Sequence, residues 1–171
     1  MYTKRILAVV SCFLFLGFMA ISSQAQTDLN TRKAVYFTGS KTDSIDLKND
    51  VYVAGGTPLG ITTATAKNCV SKVCQYNIGI IATRTGTGAL TTEVVINVAG
   101  GGSFTKAVEF GANEKFKQVT FPIKLAIGKN QLMLVIDPNN RTPETDEFNN
   151  RFAGTVVVSW AVGSSPIILP R

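Results

Sequence analysis

Apolar and polar residues alternate along most of this chain with a period of two, the spacing that puts every second side chain of an extended strand on one face. In VTFPIKL, Val119, Phe121, Ile123 and Leu125 alternate with Thr120, Pro122 and Lys124. Val94, Ile96 and Val98 share a face in TEVVINVAGG, and Phe152, Val156, Val158 and Trp160 line up in FAGTVVVSW. FTKAVEFG repeats the pattern through Phe104, Val108 and Phe110, with Lys106 as the misfit. QYNIGIIAT and LMLVI are apolar almost throughout, which predicts central strands covered on both faces. Pro122 has no amide to give to a ladder, so its strand is expected at an edge or a bulge.

Turn chemistry separates these segments at short intervals. GTGAL, AGGGS, GANEK and IGKNQ supply the glycines and asparagines that reversals with positive φ demand. From KAVYF through VYVAGG to VVVSW there are about eight candidate strands and no amphipathic helix. The pattern predicts an all-β chain, an antiparallel β-sandwich of seven to eight strands. GGTPLG and the Thr-rich ITTATAK are read as an exposed edge or a solvated loop, the loop being favoured. Gln26 to Asn30 and residues 163–171 are expected to be frayed, the latter as a flexible C-terminal tail.

The N-terminus predicts a different fate for residues 1–25. Lys4 and Arg5 precede the apolar run ILAVVSCFLFLGFMAI, and Ser23 and Ala25 are small residues before a cut at Gln26. This is the layout of a cleavable signal peptide, too short for a membrane span. Val9-Val10-Ser11-Cys12 loosely resembles a lipoprotein box, but lipidation there would leave FLFLGFMA on the mature chain, so Cys12 is read as part of the signal. The domain is then expected over residues 26–162, exported to the periplasm, the outer surface or the medium, with no membrane span in the mature chain.

Composition narrows the chemistry. The formal charge is +6, two units of it from Lys4 and Arg5, and no dense Lys/Arg cluster marks a nucleic-acid partner. The chain has no histidine, which removes Ser-His and Cys-His catalysis and every His-ligated metal. No catalytic constellation stands out, and the chain is expected not to be an enzyme. Cys69 and Cys74 remain after export. An even pair in an exported chain predicts a disulfide, here a staple on a hairpin.

The stretch GKNQLMLVIDPNNRTPETDEFNN resembles the signature of the CARDB family, the bacterial cell-adhesion-related domain. The matching residues are Gly128, the strand Leu132 to Ile136, Asp137-Pro138, Asn140, Glu144, Glu147, Asn149 and Asn150. Upstream, IIATRTGTGAL departs from the family by carrying Arg84-Thr85-Gly86 where an Asn-x-Gly turn is typical. The resemblance covers about the last forty residues, and it implies an immunoglobulin-like sandwich used as a module in extracellular bacterial proteins. It implies no ligand and no reaction.

The loop DPNNRTPETDEFNN reads first as a self-satisfying turn. Asp137 accepts from amides ahead of it, Pro138 sets φ, Pro143 keeps the chain extended, and Asn149 and Asn150 can bond exposed backbone at the re-entry to the sheet. Asp137, Asn139, Asn140, Glu144, Asp146, Glu147, Asn149 and Asn150 are accordingly the candidate binding residues. No cofactor is expected. Calcium is the alternative, because Asp137, Asn139, Glu144, Asp146 and Glu147 offer oxygen ligands, although their spacing is not that of an EF-hand.

The functional expectation is a non-enzymatic module for protein binding or adhesion at the bacterial cell envelope, its partner a protein or a glycan. One alternative is a structural subunit joined by strand addition, with IIL of the C-terminal SSPIILPR as donor. Another is a carbohydrate-binding module, for which Tyr36 and Tyr52 are the candidate surface aromatics.

Overall fold

A computed structural model describes residues 27–39 and 44–163. The expected signal peptide, and the expected tail apart from Gly163, lie outside the described residues. Among the described residues there are eleven strands: β1 (Leu29–Thr31), β2 (Ala34–Phe37), β3 (Val51–Ala54), β4 (Leu59–Thr62), β5 (Asn68–Val70), β6 (Val73–Arg84), β7 (Leu90–Val98), β8 (Gly102–Phe110), β9 (Phe116–Ala126), β10 (Gly128–Ile136) and β11 (Arg151–Ser159). The excess over the expected seven to eight consists of three- and four-residue strands whose alternation is too short to read.

Two sheets face each other, as the alternation predicts. In the first, β6 is the spine. β9 pairs with it from Val73↔Ala126 to Thr83↔Phe116, while β5, β2 and β1 share its other side in turn and β3 follows β2. The second sheet runs β4-β11-β10-β7-β8. It is mixed rather than wholly antiparallel, because β4 lies parallel to β11. Leu59–Thr62, for which the sequence favours a loop over an exposed edge, forms a sheet edge, with Ile61 buried. The core is where alternate apolar residues meet: Tyr76, Ile78 and Ile80 from β6, Ile123 and Leu125 from β9, Ile96 from β7, and Leu132 and Leu134 from β10. Each such side chain contributes roughly 1.5–3 kcal/mol on burial.

The two uniformly apolar segments part company. β6 is covered on both faces, since Ile45 from the 44–50 loop seals its outer side. A Cβ on Gly79 would stand 2.4 Å from Ile45 Cγ1, so the glycine is required by this close approach. The Ile45 amide donates to Gln118 Oε1 at 3.0 Å, tying the loop to β9. β10 instead has one open face, where Met133 is 49% exposed. Trp160, expected to point into the core, lies just past the end of β11 and is only half-buried.

Edges and corners have their own devices. β9 hydrogen-bonds only to β6, so Pro122 does stand on an edge strand. Lys106 explains its break in the apolar pattern here: its ammonium crosses from β8 and donates to the Thr120 carbonyl on β9 at 2.8 Å. An inward lysine of this kind discourages pairing with another chain. At the other end, the β5–β6 hairpin turns through Ser71 (φ 50°) and Lys72 (φ 67°), neither a glycine. Two-residue hairpins favour Asn-Gly because such angles strain other residues. The Cys69–Cys74 disulfide closes the turn across directly opposed residues, and a loop this short stabilises by about 2 kcal/mol.

Candidate functional site

The candidate residues lie on the 137–150 connection between β10 and β11, and most of them are consumed in holding it. Asp137 is buried with φ 52°, and its own amide donates to the Glu93 carbonyl. Its carboxylate accepts from the Arg141 amide (3.1 Å, Oδ1) and the Thr142 amide (2.7 Å, Oδ2). The Asn140 amide donates to the Asp137 carbonyl, closing the turn that the Asp-Pro-x-Asn spacing predicts. Asn139 Nδ2 donates to Glu93 Oε2 at 3.3 Å, and Asp146 Oδ1 accepts from the Phe148 amide at 2.9 Å. Asp137, Asn140 and Asp146 thus help to build turns, while Asn139 reaches across to Glu93 on β7.

Glu144, Glu147, Asn149 and Asn150 are placed differently, and they meet a segment that the alternation leaves unread. Thr27 bridges Glu144, and the Leu29 amide donates to Glu144 Oε2 at 2.8 Å. Asn149 Nδ2 donates to both carboxylate oxygens of Asp28 at 3.0 Å. The expectation that residues 26–30 fray is corrected for those described: Leu29 is fully buried in β1, paired with Arg84, and clasped by the loop. Asn150 is 1% exposed; its Nδ2 stands 3.4 Å from Glu144 Oε1, and its carbonyl accepts from the Ile136 amide. That last bond is main chain to main chain; the Asn149 and Asn150 side chains, expected to bond exposed backbone at the re-entry, reach carboxylates instead.

Acceptors outnumber donors in this corner. Glu147 Oε2, Asn149 Oδ1 and Asn150 Oδ1 are buried and accept no hydrogen bond. Glu144 is pushed up from 4.5 to about 7, chiefly by burial and further by the Glu147 and Asp137 charges, against the lowering pull of the Leu29 amide and Asn150. In the unfolded chain the group titrates near 4.5, so between 4.5 and 7 the folded state keeps a proton that the unfolded state has released. Stability therefore falls as pH rises through that window and levels off above it. Urea denaturation across the window should show this slope in the wild type and a flatter profile in Glu144→Gln; equal slopes would refute it.

Beside the corner, Phe148 stands 85% exposed between two anchored stretches, the Asp146 turn and the Asn149–Asp28 contact. The signal was legible, a lone aromatic in a polar run. Of the two candidate surface tyrosines, Tyr52 is exposed but Tyr36 is not. Tyr36 lies in the small cluster under Ile45, its ring tilted against Tyr52 at 5.3 Å. A paired tyrosine platform is therefore not presented to solvent.

Among the described residues no helix is long and apolar enough to cross a membrane. No protein-family model and no curated protein matches the chain. Solved structures do match. In fold, the chain is similar to the CARDB domain of a Pyrococcus furiosus protein in its solution NMR structure, at 18% identity over 78% of this chain and 95% of that one, with a TM-score of 0.47. It is likewise similar to a crystal structure of that domain in complex with di-metal ions, at 19% identity over 79% and 90% of the two chains, with a TM-score of 0.48.

Proposed function

We infer that the chain is an exported, non-enzymatic β-sandwich module that binds a protein at the bacterial cell envelope. The observation that carries this reading is Phe148. An aromatic ring held in water costs free energy, and this one sits on a connection braced by side-chain and main-chain bonds. Binding residues concentrate on loops that a rigid scaffold positions, and aromatic anchors dominate protein interfaces. Export agrees with the basic, apolar N-terminal sequence and with the Cys69–Cys74 disulfide.

The purified protein, immobilised and exposed to intact bacterial envelope fractions, is expected to retain a saturable protein ligand. Phe148→Ser should weaken retention about 10-fold or more, the loss typical of an aromatic anchor. Its melting temperature should hardly move, since the ring touches little of the fold. Equal retention by the wild type and Phe148→Ser would overturn the assignment of this loop as the contact.

A further inference from the structure

The unpaired oxygens of the corner point to a ligand that the partner reading does not require. Three buried acceptors without donors lie within four consecutive residues: Glu147 Oε2, Asn149 Oδ1 and Asn150 Oδ1. A buried acceptor left unsatisfied has lost its water and gained nothing in return, so three of them in so short a stretch are costly unless something positive meets them. No lysine or arginine among the described residues does so. The ion pair formed there, Lys117–Glu114, belongs to the β8–β9 corner.

The amide orientations strengthen the case. Asn149 Nδ2 is held by both oxygens of Asp28. Turning that amide over would set its oxygen against a carboxylate, so Asn149 Oδ1 is committed to the opposite side. Asn150, almost wholly buried, sets its amide against Glu144 and leaves its own oxygen unmet. Asp137, which the sequence offers as a ligand, spends both carboxylate oxygens on the Arg141 and Thr142 amides, and Asp146 spends Oδ1 on the Phe148 amide. What remains at the corner is the unmet oxygens of Glu147, Asn149 and Asn150, with the Glu144 carboxylate, which already accepts from the Leu29 amide, beside Asn150.

We propose that Glu144, Glu147, Asn149 and Asn150 bind a hard divalent cation of the calcium class. The donor set is all oxygen, which disfavours metals that prefer sulfur or imidazole. Calcium takes six to eight oxygens, including amide carbonyls, in flexible geometry, whereas magnesium demands a near-ideal octahedron and keeps its water. No three Asp, Glu, Cys or His side chains among the described residues group closely enough to hold a metal by themselves. The asparagines therefore supply half of the protein ligands. Asp28 acts behind them, fixing the Asn149 amide.

The test is calorimetric titration of the purified protein with calcium chloride, paired with thermal melting. Affinity is expected in the range of extracellular calcium modules, a Kd of about 0.1–1 mM. At a concentration about tenfold above Kd, the melting temperature should rise by about 4 °C. Glu147→Gln and, separately, Glu144→Gln should each weaken binding at least tenfold, and Glu114→Gln, from the distant ion pair, should bind as the wild type does. Three outcomes overturn the proposal: no heat and no shift at about 10 mM calcium, an equal shift with magnesium at the same ionic strength, or unchanged affinity in both glutamine variants.

Discussion

Arg84→Ala is expected to destabilise the fold by about 3 kcal/mol or more, lowering the melting temperature by about 10 °C. Arg84 ends β6 on the same parity as Tyr76, Ile78, Ile80 and Ala82, so its side chain points into the sandwich, and it is 4% exposed. Its guanidinium answers three carbonyls from two crossing loops: Nε donates to Glu114 at 2.8 Å, and Nη2 to Gly88 at 2.5 Å and Gly111 at 2.7 Å. It also lies over the Phe110 ring at 5.3 Å. Alanine would leave these carbonyls without their donor and open space beside Phe110. Arg84→Lys should recover less than half of the loss, because a single ammonium cannot reproduce the planar fork. Urea denaturation of the three proteins decides it; a loss under about 1 kcal/mol for alanine would mean that the loops find other donors.

Asp137→Ala should cost about 2–4 kcal/mol for a related reason. Two amides, the part-buried one of Arg141 and the buried one of Thr142, would lose their acceptors, and the residue would have to hold φ 52° without the side-chain bonds that compensate for it. Asp137→Asn keeps one acceptor and tolerates the left-handed backbone, so it should cost about 1 kcal/mol. Asp137→Gly separates the two contributions, since it relaxes the backbone but restores no acceptor. If glycine proved as stable as the wild type, backbone angle rather than hydrogen bonding would govern the corner. The readout is again equilibrium unfolding.

Local patterns were legible and distant meetings were not. Alternation identifies the long strands β7 to β11, and the Asp-Pro-x-Asn spacing identifies the turn at 137–140, because both depend on neighbours in the chain. The clasp of Asp28 and Leu29 by Asn149 and Glu144 joins residues more than a hundred positions apart. A three-residue strand has too few alternations to betray it. The cover that Ile45 lays over Gly79 is hidden for the same reason: an isoleucine in a polar loop carries no period. Arg84 could have been found. A charged residue at an inward position at the end of an apolar strand needs partners, and glycine-rich loops on either side offer bare carbonyls. In the candidate loop, counting acidic residues misleads, since Asp137 spends both carboxylate oxygens on the Arg141 and Thr142 amides and Asp146 spends one on the Phe148 amide. The buried oxygens left over belong to Glu147 and the two asparagines.

The ammonium of Lys106 on the Thr120 carbonyl bears on how copies of this chain could join. A neighbour adding a strand beside β9 must first dislodge a charged group and strip it of its water, a penalty absent at the opposite flank, where β3 and β4 end their sheets. Fibre growth, were it to occur, would thus have a preferred side. Replacing that lysine by valine would remove the charge and leave Pro122, which has no amide to offer, as the remaining obstacle beside β9.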